Sequence, residues 1–395
     1  MADLHISDAL LADGTRTSLR VSGGLVVAVG GGAEPGDQQL DANGSLLLPA
    51  MAEGHAHLDK AFLAETVLNP SGDLMGAIVA MEAAHVRITP ADIELRAERA
   101  ARLIARNGAT AIRTHVDLTK ETGTASIAAL LAVRDRLRSL VHIEIYALCG
   151  FPSLGAEGAY QRSLLREAIA MGIDGVGGCP HLESDPAAAN DAFLAVAADA
   201  QLPVDLHTDE TLDPTRFALA DLAERVIDSG FAHRVSASHC VSMSMQSQRV
   251  QAQTSERIAA AGITVIALPS SNLFLQGRDH PVGMPRALTA ITPLVAAGVN
   301  LAAGADNLQD PFNPVGRGDC LETASLMVMA GQLLPDHAYN TVSNAVRVAM
   351  GLPTAGTAVG QAADLVLLAA ATTREAIAFG PAARTVIRGG NVQNV

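Results

Sequence analysis

Residues 51–60 read MAEGHAHLDK and follow the short apolar run Ser45–Pro49. A short buried strand that ends on polar side chains is typical of parallel β/α units, because their functional residues lie at the carboxyl ends of the strands. His55 and His57 are two residues apart, so on extended backbone both side chains face the same way. Two imidazoles placed in this way can bind one divalent ion. The stretch therefore predicts a β/α barrel with a metal site at its mouth, with Ser45–Pro49 as the first strand.

The same alternation of short strands and Ala-rich helices continues along the chain. Seven further candidate strands are Thr110–Val116, His142–Leu148, Gly175–Gly178, Pro203–Leu206, Arg234–Ser238, Thr264–Leu268 and Asn300–Ala303. Candidate helices between them are Pro90–Asn107, Ala125–Leu140, Tyr160–Met171, Ala187–Ala200 and Arg216–Asp228. Eight β/α units predict an α/β fold, a closed (β/α)8 TIM barrel over residues 51–354 that forms the catalytic domain.

The two ends of the chain have a different pattern. Leu25–Val29 is flanked by glycines, and Ala363–Leu368 and Thr385–Ile387 are short apolar runs near the carboxyl end. Such Gly-bounded runs are typical of hairpins. We therefore expect residues 1–50 and 355–395 to pair into a small β-sandwich beside the barrel.

Other predicted strand ends supply the remaining site residues. His207 and Glu210 follow the fifth candidate strand, His239 follows the sixth, and Asp306 follows the eighth. His207 and Asp306 would complete a ligand set of three nitrogens and one oxygen with His55 and His57, leaving one position for water, as in catalytic metal sites. The ion would make hydroxide available near neutral pH. Glu210 would then carry the proton to the leaving nitrogen, and His239 would stabilise the developing charge.

Each of these residues also has an ordinary structural explanation. An HxH pair occurs by chance, a strand-end His is usually a satisfied polar residue, Asp306 is a plausible helix N-cap, and Glu210 is a plausible solvated carboxylate. A structural explanation must account for all of them occurring in register with the strands. A shared metal site would explain with a single cause why all of these residues lie at strand ends.

Composition excludes several classes of function. The net charge of −14 and the pI of about 5.2 disfavour nucleic acids and anionic membranes as partners, because both require clustered cations. No transmembrane run and no export signal is visible. The four cysteines are far apart and form no CxxC pair, so we expect free thiols and a cytoplasmic location.

The sequence resembles the amidohydrolase superfamily, and in particular its cytosine deaminase branch. The resemblance runs from LLLPAMAEGHAHLDK through AIRTHVD, GFPS, GVGGCPHLES, DLHTDE, VSASHC, NLFLQGRD and GADNLQDPFNP to ADLVLL. It implies that His55, His57, His207 and Asp306 are metal ligands. It also implies that Glu210 shuttles protons, that His239 lies beside the hydroxide, and that a β-sandwich flanks the barrel.

The lysine inventory limits the kind of metal centre. Many superfamily members bridge two metals with a carboxylated lysine after strand four. Here that region reads GVGGCPH, and the only two lysines, Lys60 and Lys120, lie near the first two strands. The resemblance therefore implies a single divalent ion, and a His3Asp set suits Zn, Fe(II) or Mn.

Two departures from the cytosine deaminases concern substrate recognition. Those proteins carry Gln after the Phe-Pro that follows strand three, where this chain has Ser153, and a second Asp after the metal aspartate, where it has Asn307. Asn307 can both donate and accept hydrogen bonds, whereas an ionised Asp only accepts. Cytosine itself is therefore not implied as the substrate.

Three further residues are candidates for substrate binding. His55-x-His57-x-x-Lys60 together with Asp306-Asn307 is similar to N-isopropylammelide amidohydrolase, although that protein lacks the glutamate corresponding to Glu210. Lys60 would offer a cation to the ring, or pair with Asp59 or Glu65. His181 would line the pocket or cap a loop. Gln276 would face the substrate after strand seven.

The sequence predicts an aminohydrolase that releases ammonia from a small nitrogen heterocycle such as a pyrimidine or triazine. One alternative has the same metal chemistry but expels an alkylamine from an ammelide-type triazine or opens a cyclic amide. Another is a non-catalytic barrel. The expected partner is a small-molecule substrate, and the Ala-rich helical exterior permits a homo-oligomer.

Overall fold

A computed structural model describes residues 3–394. The strands are β1 (Leu4–Leu10), β2 (Arg16–Ser22), β3 (Leu25–Val29), β4 (Gln38–Asp41), β5 (Leu46–Pro49), β6 (Met51–Ala56), β7 (Ala109–Leu118), β8 (His142–Cys149), β9 (Gly175–Gly178), β10 (Val204–Thr208), β11 (Val235–His239), β12 (Thr264–Ala267), β13 (Leu301–Ala303), β14 (Leu365–Leu368), β15 (Arg384–Arg388) and β16 (Asn391–Val392). The helices are α1 (Leu74–His85), α2 (Pro90–Arg106), α3 (Ala125–Leu137), α4 (Ala159–Met171), α5 (Pro186–Ala200), α6 (Leu219–Ser229), α7 (Gln248–Ala260), α8 (Pro269–Leu275), α9 (Ile291–Ala296), α10 (Cys320–Met329), α11 (Pro335–Thr341), α12 (Asn344–Met350) and α13 (Thr373–Phe379).

Strands β6 to β13 form a parallel barrel in which neighbours in sequence are neighbours in space. At the ends of the row, the Asp306 amide donates to the His55 carbonyl at 2.9 Å, and Ala56 bridges Asp306. The barrel therefore closes between the carboxyl end of β6 and the residues that follow β13. The predicted (β/α)8 barrel with a separate β unit built from both termini is confirmed.

The first barrel strand was misplaced by the sequence prediction. Leu46–Pro49 pairs with β14 in the terminal sheet, and the barrel begins one residue later with β6. The apolar run LLLP continues into MA without a turn signal, so one long strand could not be told from two short ones. Ala50 alone separates the sheets, and its amide donates to the Asp364 carbonyl at 2.8 Å. His55 therefore lies within the strand, not after it.

The terminal segments form one mixed sheet of eight strands, in the order β16-β15-β14-β5-β1-β2-β3, with β4 paired to β1. Apolar side chains from both ends of the chain make a core of their own, which includes Leu4, Leu19 and Leu365. Val366 and Leu368 point instead into the main barrel core. Strand β14 therefore joins the sheet to the barrel.

Helix ends follow local capping chemistry. Thr89 caps α2 by accepting from the Asp92 amide at 3.2 Å, with Pro90 in the first turn, where its missing N–H costs nothing. Helix α6 begins at Leu219, three residues after the predicted start, because the Asp209 carboxylate accepts from the amides of Ala218 and Leu219. Among residues 3–394, no helix is both long and apolar enough to cross a membrane.

Candidate active site

Four side chains from β6 and the residue that follows it, from β10, and from the turn after β13 converge at the barrel mouth. Oδ1 of Asp306 lies 3.2 Å from Nε2 of His57 and 3.6 Å from Nε2 of His55, and Nε2 of His207 lies 3.3 Å from Nε2 of His57. All four residues are buried. The structure thus brings the four expected ligands together around one point.

The electrostatics of this cluster suit a cation. Burial lowers the pKa of His55, His57 and His207 well below the usual histidine value, and neighbouring imidazoles lower it further. The rings are therefore neutral, which is the form that binds metals. Nε2 of His55 and Oδ1 of Asp306 are buried without a hydrogen-bond partner among the described residues. A divalent ion would satisfy both atoms, so the donor set fits the metal that the sequence predicts.

Sharp backbone turns at the strand ends aim the polar side chains. Asp306 has φ of 65° and His239 has φ of 68°, both in the left-handed region that non-glycine residues rarely occupy. Oδ2 of Asp306 also accepts a hydrogen bond from the Ser271 hydroxyl. This bond leaves Oδ1 as the carboxylate oxygen that faces the histidines.

Glu210 and His239 lie beside the ligand cluster. Oε1 of Glu210 is 3.5 Å from Nδ1 of His239, and both residues line the same cavity as Asp306. Burial, together with the Asp306 charge, raises the pKa of Glu210 well above its usual value. Burial lowers the pKa of His239 to about 4, and Asn272 Nδ2 lies 3.0 Å from its Nδ1. A carboxyl with a raised pKa next to a neutral imidazole can take up and release a proton.

One cavity of about 370 Å³ opens onto these side chains. Its inner wall includes His57, His207, Glu210, His239 and Asp306. Helix α1 forms an outer wall through Leu74, Ile78, Met81, Glu82 and His85, which are spaced along one helical face. The volume is within the usual range for small-molecule sites.

His181 and Asn307 line this cavity, as the sequence analysis proposed. Nδ1 of His181 is 2.9 Å from the backbone carbonyl of His207, which can only accept, so Nδ1 carries the hydrogen. Nε2 is therefore a hydrogen-bond acceptor, and it is buried without a partner among the described residues. Asn307 donates to Asp310 at 2.6 Å.

Lys60 lines the cavity but is already paired. Its Nζ lies 2.6 Å from both carboxylate oxygens of Asp117, and not against Asp59 or Glu65. Burial opposes the lysine charge, but Asp117 and Asp59 outweigh that effect, so the pKa of Lys60 is raised. The unit that faces the cavity is therefore an ion pair and not an isolated cation. Sequence reasoning missed Asp117, although AIRTHVD places it at the end of a strand.

Ser153 and Gln276 are not among the residues that line the cavity. The Ser153 amide donates to Glu183 at 2.6 Å, which holds residue 153 behind the wall. Gln161, in the first turn of α4, lines the cavity instead, and its Oε1 is buried without a partner in residues 3–394. No spacing signal pointed to Gln161, because the loop after β8 sets its position.

The chain matches an amidohydrolase family model over residues 76–393. It is 31% identical to a pterin deaminase from Rhizobium rhizogenes, over 99% of this chain and 87% of that protein. It is 24% identical to N-isopropylammelide isopropyl amidohydrolase from Pseudomonas sp., over 90% of this chain and 87% of that protein.

Solved structures give the same picture. The 5-methylcytosine deaminase from Klebsiella pneumoniae, liganded with 5-fluorocytosine, superposes with a TM-score of 0.90 at 30% identity, covering 99% of this chain and 98% of its own. The N-isopropylammelide isopropylaminohydrolase from Burkholderia multivorans superposes with a TM-score of 0.84 at 26% identity, with the same coverage of both chains. This chain therefore belongs to the amidohydrolase family and is a hydrolase of carbon–nitrogen bonds.

Proposed function

We propose that this protein is a metal-dependent aminohydrolase that releases ammonia from a small amino-substituted nitrogen heterocycle. One observation carries the proposal: the three imidazole Nε2 atoms and the Asp306 carboxylate converge at the base of a cavity whose wall also contains Glu210. The alkylamine-releasing proteins that the sequence resembles share the His and Asp pattern but lack a glutamate at the position of Glu210, which the resemblance implies for deaminases.

His55, His57, His207 and Asp306 would hold one ion of Zn, Fe(II) or Mn. When bound, such an ion supplies Lewis-acid chemistry and brings the pKa of a coordinated water towards neutrality. Three nitrogens and one oxygen leave a position for that water, and the cavity gives substrate access to it.

The proton transfers fall to Glu210. In its ionised form the buried carboxylate takes a proton from water on the cavity side as the water oxygen bonds to the ring carbon. It then delivers that proton to the exocyclic nitrogen as the carbon–nitrogen bond breaks, so that ammonia leaves as a neutral molecule. His239 lies 3.5 Å from this carboxyl and would hydrogen-bond the attacking oxygen, stabilising the charge that develops there.

Two unpaired acceptors bear on the choice of substrate. Nε2 of His181 and Oε1 of Gln161 each lack a hydrogen-bond donor within the described part of the chain. An amino-substituted ring carries N–H groups that can donate to both atoms. Asn307 adds an amide beside Asp306. Relatives of this chain are named for pterin and 5-methylcytosine, so we propose an aminopyrimidine or a pterin as the substrate.

The test compares wild-type protein with Glu210→Gln, each with zinc bound. Released ammonia is measured over cytosine, 5-methylcytosine, isocytosine, pterin and ammelide. Removing the proton carrier should lower turnover of the best substrate by roughly 10²–10⁴-fold while bound zinc is unchanged. Undiminished ammonia release by Glu210→Gln would refute the role given to this residue.

Alkylamine release is the second candidate. It is favoured by the Lys60–Asp117 pair in the cavity wall and by the similarity to the N-isopropylammelide hydrolases. Incubation with N-isopropylammelide, followed by chromatographic detection of isopropylamine, decides between the two reactions. Isopropylamine without ammonia from any amino-substituted ring would replace the first proposal by the second.

A further inference from the structure

A chain of polar side chains crosses the barrel one layer beneath the ligand cluster. The Ser238 hydroxyl donates to Oδ1 of Asp205 at 2.6 Å, and Nδ1 of His55 lies 3.0 Å from the same hydroxyl oxygen. All three side chains are fully buried. These hydrogen-bonded side chains link β10 and β11 to β6 across the interior.

The hydrogen bonds that join Asp205, Ser238 and His55 can run in one direction only. A serine hydroxyl has a single hydrogen, and an ionised carboxylate only accepts. Nη1 of Arg113 lies 2.9 Å from Oδ2 of Asp205 and keeps that carboxylate charged. The serine hydrogen therefore points to Asp205, and the serine oxygen is left to accept. His55 must supply the hydrogen from Nδ1, so its Nε2 is unprotonated.

Nε2 is the atom that faces the site. It lies 3.6 Å from Oδ1 of Asp306 and has no hydrogen-bond partner among residues 3–394. A histidine binds a metal through an unprotonated nitrogen, and the partner of the other ring nitrogen decides which one that is. For His55 this partner is Ser238. The register of β10 and β11 pairs Ser238 with His207, so Ser238 lies at the level of the expected ligands.

We propose that Ser238 and Asp205 are positioning residues that fix the tautomer and orientation of His55 for metal binding. The inference rests on the metal site of the proposed function. Ser236 is the natural comparison, because it lies two residues away on β11 and its hydroxyl contacts Arg113 at 3.0 Å but no expected ligand.

The first experiment measures zinc affinity by competition with a chromophoric chelator. Ser238→Ala should bind zinc about 10–100-fold more weakly than wild type, the usual effect of losing the partner of a ligand histidine. Ser238→Thr keeps the hydroxyl and should restore most of the affinity. Ser236→Ala should stay within twofold of wild type. Zinc affinity within twofold of wild type for Ser238→Ala would overturn the proposal.

The second experiment needs no metal. In metal-free protein carrying ¹⁵N-labelled histidine, two-bond ¹H–¹⁵N correlations should show the His55 hydrogen on Nδ1, and Ser238→Ala should give a mixture of tautomers. A hydrogen on Nε2 of His55 in wild type contradicts the positioning role. Wild type that binds no zinc, but carries the hydrogen on Nδ1, refutes the metal site alone. The two failures are therefore distinguishable.

Discussion

Asp306 combines an unusual backbone conformation with a demanding side-chain role. A non-glycine residue in the left-handed region costs on the order of 1–3 kcal/mol, and Asp and Asn tolerate it better than other residues. Its positive φ turns the chain immediately after β13, so that Oδ1 faces the imidazoles while Oδ2 is held by Ser271. An informative substitution must therefore change the charge and keep the conformation.

Asp306→Asn meets that requirement. The amide can still accept from Ser271 and can adopt the same φ, but it lacks the negative charge that balances a divalent ion. We expect zinc binding to weaken by at least the roughly 10–100-fold that loss of a ligand's hydrogen-bond partner costs, with a midpoint of thermal unfolding for metal-free protein close to that of wild type. Metal titration and calorimetry measure the two quantities. Unchanged zinc affinity would remove Asp306 from the ligand set.

Gln161 offers a test of substrate recognition. Gln161→Ala removes an unpaired buried acceptor from the cavity wall without touching the ligands. A lost hydrogen bond is worth about 0.5–1.5 kcal/mol, so we expect KM for the best substrate to rise roughly 2–13-fold at constant zinc content. Gln253→Ala, on the exposed face of α7, is the matched control. Equal KM values for the two variants would contradict the assignment.

Residue type and strand position were enough to predict which histidines and carboxylates meet at the barrel mouth and that Lys60, His181 and Asn307 line the cavity, but they did not indicate Asp117 or Gln161. His55, His207 and Asp306 are fixed by barrel geometry, which brings every strand end to one rim. Ser153, which was predicted to contact the substrate, is not among the cavity-lining residues, and its amide donates instead to the distant Glu183. Loop conformations of this kind depend on partners that are distant in sequence, and no local pattern specifies them.

Close backbone approach joins β6 to the end of β13. A Cβ on Gly304 would lie 2.7 Å from Oε1 of Glu53 and 2.8 Å from the His55 nitrogen. The buried Glu53 carboxylate accepts from the amides of His55 and Ala305, and so holds the two segments together. We therefore expect the spacing of His55 and Asp306 to depend on this contact.

Gly304→Ala should therefore disturb both stability and the site. Forcing a methyl group into this contact costs about 1–3 kcal/mol in the free energy of unfolding. Displacement of His55 should also weaken zinc binding. Urea unfolding and chelator competition check the two effects. Gly32→Ala is the control, since a Cβ there meets nothing within 4 Å. Indistinguishable behaviour of the two variants would show that the contact is not tight.

At the scale of the whole molecule, the terminal sheet and the barrel share strand β14. Its Leu365 belongs to the core of the sheet, while Val366 and Leu368 pack into the barrel. The sequence indicated a β unit at each end of the chain and their pairing, but the run that forms β5 was also taken as the first strand of the barrel. That detail depends on the pairing of β5 with a strand more than 300 residues away, which composition does not encode.

Metal removal should affect the whole fold. An ion that binds the native state alone stabilises it by RT ln(1 + [L]/Kd), about 2.7 kcal/mol at a concentration of 100 Kd. Wild type stripped of metal should therefore unfold at a lower temperature, and added zinc should restore the midpoint in a concentration-dependent way. Asp306→Asn should show a much smaller response. A thermal unfolding midpoint of wild type that does not change with zinc concentration would argue against a metal site in the native state.

The closure of the barrel between Ala56 and Asp306 also sets the order of events during synthesis. Two ligands lie near residue 56, but the carboxylate that completes the set is encoded about 250 positions later. A nascent chain cannot assemble the full coordination sphere until that distal part has left the ribosome and the last strand has docked on the first. If the proposed site binds a cation, completion of its four-residue form would therefore be a late maturation step that requires a closed barrel.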